Sequence, residues 1–220
     1  MKILVAGVGS VLWGDDGFGV AVAHRLQRMD LPPEVTVVET GTGGIHLVQE
    51  ISAGYDALIV VDASDQGRPP GTVMVIDPEV EDVYKMDDAT KYDFLADMHY
   101  TKPERALMLA KALKVLPRRF VLIGGQPEDA ERYGIGLSQI VATAVDLAVP
   151  EVIRIIHQML EEDRSGATSQ AAKLDRDEAS IPPVVDAAIG ALDPSEVNAS
   201  GATPLEEAAD AARLRGASRS

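Results

Sequence analysis

Five stretches of this chain are almost continuously apolar. They are "KILVAG" (2–7), "VTVVET" (35–40), "ALIVVDA" (57–63), "TVMVID" (72–77) and "FVLIGG" (120–125), each punctuated by Gly, Pro or Asp. Short Val- and Ile-rich runs of this kind predict strands covered on both faces. Between them the apolar positions switch to helical spacing. "FGVAVAHRLQRM" (18–29) and "GIHLVQEIS" (44–52) predict helices, and "PERALMLAKAL" (103–113) predicts a third with Pro103 at its first position. "LSQIVATAVDLAVPEVIRIIHQMLEE" (137–162) predicts a long helix capped by Ser138, with a kink or break at Pro150. Strands alternating with helices predict an α/β fold. The expected form is a three-layer α/β/α sandwich around a twisted, mostly parallel sheet of about five strands. Only a short Gly/Pro connection precedes 72–77, so that strand is expected at an edge and antiparallel.

Two regions leave this rhythm. Residues 77–102 are long, acidic and without a clean period, and such insertions in compact domains are often functional. After Asp163 the aromatic residues are gone and Ser, Ala, Gly, Asp and Arg take over. Residues 1–162 are therefore expected to form the α/β domain and 163–220 a largely disordered acidic tail.

Composition narrows the function. The formal net charge of −15 argues against nucleic acid and anionic membrane as partners. With no cysteine, disulfides, thiolate metal sites and a Cys nucleophile are excluded. "MKILVAGVGS" is interrupted by glycine too early for a signal peptide or a membrane span. The expectation is a soluble, cytoplasmic protein, acting as a monomer.

The first loop, "GVGSVLWGDDGFG" (7–19), carries the chemistry. Gly7 and Gly9 follow a strand and precede a helix, as in a dinucleotide fingerprint, and Glu39 ends the second strand where a ribose-binding acid would sit. Two features oppose that reading. Leu12 stands where the third glycine should allow close helix–strand packing, and Asp15 and Asp16 lie at the helix N-terminus that would hold pyrophosphate. One aspartate is explained as a cap. The other suggests a shared cation. Asp62 closes the third strand, so Asp16 and Asp62 can face one crevice beyond the strand ends. Asp65 is a secondary candidate or a turn former. An imidazole would complete a nickel or zinc site, and His99, in the irregular acidic segment, is the best placed of the four histidines. The glycines of "ETGTGGIH" (39–46) make either a tight turn or a place where a peptide backbone approaches closely.

Taken in order, "ILVAGVGSVLWGDDGFGV" (3–20), "ETGTGG" (39–44), "LIVVDAS" (58–64), "GTVMVID" (71–77) and "LIGGQPEDAERYGIGLS" (122–138) resemble the nickel-iron hydrogenase maturation endopeptidases. The resemblance implies an endopeptidase that removes the C-terminal extension from the nickel-loaded precursor of a hydrogenase large subunit. It implies Asp16, Asp62 and His99 as metal-binding residues, with nickel carried by the substrate. It places Glu39, Gly41, Thr42 and Gly43 along the bound peptide; this chain has Glu39-Thr40 where the family often begins Asp-Gly. Asp16 and Asp62 would serve recognition of that nickel, or hold a metal that activates water. Two other classes remain open at this point: a non-enzymatic nickel-delivery module, and a dinucleotide-dependent oxidoreductase.

Overall fold

The computed structural model describes residues 1–42, 44–88, 90–91, 103–129 and 132–177, with side chains up to Gly166. Its five strands are β1 (Ile3–Val8), β2 (Val35–Gly41), β3 (Ala57–Ala63), β4 (Val73–Ile76) and β5 (Arg119–Gly125). They form one sheet in the order β2-β1-β3-β5-β4. The first four in that order run parallel, and β4 pairs antiparallel with β5 at the edge, with Val73 opposite Gly125 and Ile76 opposite Leu122. The α-helices among the described residues are α1 (Phe18–Leu26), α2 (Gly44–Ile51), α3 (Pro103–Ala112) and α4 (Gln139–Asp177).

The alternation of side chains along each strand builds the layers. Ile3 and Val5 of β1, with Ile59 and Val61 of β3, pack against Phe18, Val22 and Leu26 of α1 and the apolar face of α4. Leu4 and Ala6, with Leu58 and Val60, face the other way, onto Leu47, Val48 and Ile51 of α2 and Ala106, Leu107 and Ala110 of α3. Both faces are therefore covered, which is why these strands read as unbroken apolar runs. Burial of each such Leu, Ile or Phe contributes about 1.5–3 kcal/mol. The five strands, the three layers and the antiparallel edge agree with expectation.

Two details differ. Pro150 lies inside α4 without ending it. The helix also continues beyond Asp163, where the composition shift set the start of the tail. Ser138 caps α4 as expected, its Oγ accepting the Val141 N–H at 3.3 Å. Met1–Arg176 is one compact unit; the second, Asp177–Ser220, lies beyond the described residues except for Asp177. No helix among the described residues is long and apolar enough to cross a membrane.

Candidate functional site

In this strand order the chain leaving β1 runs to β2 on one side and the chain leaving β3 runs to the other, so the crevice beyond the carboxyl ends of β1 and β3 is the topological switch point, where open α/β sheets bind ligands. Residues after β1 and at the end of β3 line it.

The loop after β1 folds back on itself. Gly9 has φ +120°, and a Cβ there would lie 1.9 Å from the Asp16 carbonyl oxygen, so the turn closes only with glycine. A short 3-10 turn, Gly14–Gly17, then brings in both aspartates. Their side chains part. Asp15 is fully buried. Its carboxylate accepts the Ser138 N–H at 2.6 Å and the Ser138 hydroxyl at 3.0 Å, and the N–H groups of Glu128 and Asp129 at 3.0 and 3.3 Å. Burial alone would raise its pKa, but these donors outweigh it and hold the carboxyl below its ordinary value. Asp15 is thus a staple between the first loop and the segment leading from β5 to α4.

Asp16 turns toward the crevice. Its Oδ2 accepts the Ser10 N–H at 2.6 Å. That amide is the type of donor a phosphate loop offers its ligand, and here the chain's own carboxylate occupies it. Partial burial raises the Asp16 pKa, with the Ser10 N–H opposing. Across the crevice Asp62 is 9% exposed. Burial, then the negative charges of Asp16 and Glu104, push its carboxyl well above the usual range, with only the Ala63 N–H opposing. Both aspartates line a cavity of about 300 Å³ with Gly9, Thr42, Ser64 and Glu104. The pair is mutually repelling and partly stripped of water. It gains from a cation, or from a proton, and it rejects an anion.

The other expected residues fall as follows. Thr42 lines the cavity. Gly41 adopts φ +60° and its carbonyl accepts the Gly9 N–H at 3.1 Å, tying the two glycine-rich loops together. Glu39 turns away to share a 2.7 Å hydrogen bond with the His24 imidazole. That contact occupies the carboxylate the dinucleotide reading assigned to ribose. Gly43 and His99 lie outside the described residues. Among the described residues no group of three or more His, Asp or Glu is arranged to hold a metal ion. Asp65 lines the cavity rim as a turn former, accepting the Gly67 N–H at 3.0 Å and a Gln126 amide hydrogen at 2.8 Å.

Two residues were not legible as site residues in the sequence. Glu104 was read only as part of a helix start; its place in the first turn of α3 aims charge at Asp62. Gln126 is buried, and its Oε1 accepts the N–H groups of Gln66 and Arg68, which fixes the loop that forms the cavity rim. Its position one residue after β5 was the available signal.

Fold and crevice together define an α/β protein whose switch point offers carboxylates in place of amide donors. Residues 20–155 match the family model of the hydrogenase maturation proteases. The hydrogenase expression/formation protein HoxM of Cupriavidus necator is 38% identical over 148 residues, 67% of this chain and 70% of that protein. HupD of Rhizobium leguminosarum is 36% identical over 156 residues, covering 70% and 74%. Among solved structures, the hydrogenase maturating endopeptidase HybD of Escherichia coli is 30% identical with a TM-score of 0.55, covering 72% of this chain and 94% of that one. The hydrogenase 2 maturation peptidase of a Thaumarchaeota archaeon is 32% identical with a TM-score of 0.52, covering 71% and 99%. The chain belongs to the hydrogenase maturation protease family.

Proposed function

We propose that this protein is the endopeptidase that removes the C-terminal extension from the nickel-loaded precursor of a nickel-iron hydrogenase large subunit, in the cytoplasm. Asp16 and Asp62 meet the nickel that the precursor carries, with His99 as the nitrogen donor. The observation that carries this reading is the convergence of Asp16 and Asp62 on one cavity, where burial and two neighbouring carboxylates push the Asp62 carboxyl well above its usual range. Two oxygen donors and one imidazole suit a nickel ion whose other ligands come from its own protein. Docking of that ion cancels the repulsion between the aspartates, so a loaded precursor binds better than an empty one. Thr42, next to the Gly41 turn, borders the cavity where the peptide would lie.

The test is a purified precursor, nickel-loaded or nickel-free, incubated with the protein and weighed by mass spectrometry. Loss of the extension only from the loaded form is expected. An intact precursor in both cases overturns the proteolytic reading, and nickel transferred without cleavage assigns delivery instead.

A further inference from the structure

The loop that carries Asp16 also carries exposed apolar side chains on its outer side. Val11 and Trp13 are 46% and 45% exposed, and Tyr133 and Ile135, from the segment after β5, are 76% and 85% exposed. These residues form one surface. The Trp13 and Tyr133 rings meet edge-to-face with centroids 5.5 Å apart. The two segments are joined by backbone hydrogen bonds from Gly14 N–H to Gly134 O at 2.8 Å and from Gly134 N–H to Leu12 O at 2.9 Å. Beside the rings, Val11, Ile135 and Leu137 close a hollow of about 180 Å³ against Val20 and Ala21 of α1. Asp15 anchors both segments from beneath through Ser138, Glu128 and Asp129. The surface is therefore preformed.

Aromatic and branched apolar groups held rigidly in water are costly, and such patches mark recognition sites. A few exposed side chains around a hollow of about 180 Å³ make a socket for one side chain rather than a dimer face. It is continuous with the crevice: Gly9, Val11, Trp13 and Asp16 belong to one loop. We infer that this platform docks the folded body of the precursor through an apolar side chain of Leu or Phe size seated in the hollow, outside the segment that is removed. The inference rests on the proteolytic reading above. It adds a second recognition point, one that reads the folded state of the substrate, while the crevice reads its metal.

Trp13 is the only tryptophan of the chain. Protein carrying 5-fluorotryptophan therefore has a single ¹⁹F resonance, which is to be followed while unlabelled nickel-loaded precursor is added. A shift or broadening that saturates is expected. In parallel, Ile135→Asp is expected to raise KM for the precursor about tenfold with kcat and melting temperature unchanged, and Ile135→Leu to restore KM. A precursor that is cleaved while the Trp13 signal stays put, or an unchanged KM in Ile135→Asp, overturns the platform and leaves the protease reading intact. A precursor that moves the signal but is never cleaved overturns the protease reading alone. A dimer in sedimentation that Ile135→Asp converts to monomer assigns the surface to self-association and overturns the inference.

Discussion

Asp15 and Asp16 are adjacent and identical, yet their surroundings give them opposite tasks and opposite pH behaviour. For Asp15 the folded pKa is lowered, so its contribution to stability is present above the ordinary carboxylate pKa and is lost as pH falls through the folded value. Asp15→Ala strands three backbone amides and a hydroxyl, and it is expected to cost about 3 kcal/mol at neutral pH, with the deficit shrinking in acid. Thermal melts of both proteins across pH check this. Asp62 has the reverse sign. Its folded pKa is raised, so above the ordinary carboxylate pKa the unfolded chain releases a proton that the native state still holds, and stability falls as pH rises through that window. Metal-free Asp62→Asn is therefore expected to melt a few degrees higher than the parent at neutral pH, and level with it in acid. The same substitution, or Asp16→Asn, is expected to lower precursor processing by about 10²–10³-fold, the usual scale for loss of a preorganised electrostatic group. Normal processing by either variant would remove these residues from the reaction. A destabilising carboxylate whose removal stops processing is the mark of a group kept for function.

At the scale of elements, the packing of α1 on β1 and β3 depends on two glycines, Gly7 and Gly19, of which the motif reading used only the first. A Cβ on Gly19 would lie 2.1 Å from the Val61 carbonyl oxygen and 2.4 Å from that of Val8, and a Cβ on Gly7 would lie 2.4 Å from the Gly19 carbonyl oxygen. Gly19→Ala is thus expected to destabilise by about 1–3 kcal/mol or more through overpacking, read as a lower denaturant midpoint at unchanged slope. Leu12 counted against a third packing glycine, but Gly19 does that work later in the chain, because the Gly14–Gly17 turn intervenes between the loop and α1. The strands were legible because burial on both faces makes them apolar throughout. The partnership of Asp16 with Asp62 followed from where strands end. Glu104 was hidden, because an acid after Pro103 is also what an ordinary helix start requires. The division of labour between Asp15 and Asp16 was also hidden: it depends on Ser138, which is adjacent to them only in the folded chain.

For the molecule as a whole, the last long helix is held at its carboxyl side by charge as well as by packing. Its buried apolar side chains, among the described residues, end at Leu160. Just beyond, Glu162 pairs with Arg119 of β5, and Asp163 lies 3.4 Å from the N-terminal amine of Met1. A chain ended after Gly166 is expected to keep both melting temperature and processing activity, and a drop of several degrees would show that the removed segment packs. The sheet itself ends on one side at β4, whose four residues, Val-Met-Val-Ile, bear no charge, and Val75 there is 48% exposed. Edge strands are ordinarily blunted with Lys or Pro, and an unblunted one is a template for chain-to-chain pairing. During overproduction this strand is where growing aggregates would nucleate. Val75→Lys should therefore yield more soluble protein with the same activity, and it makes a sensible parent for crystallising the enzyme with its substrate.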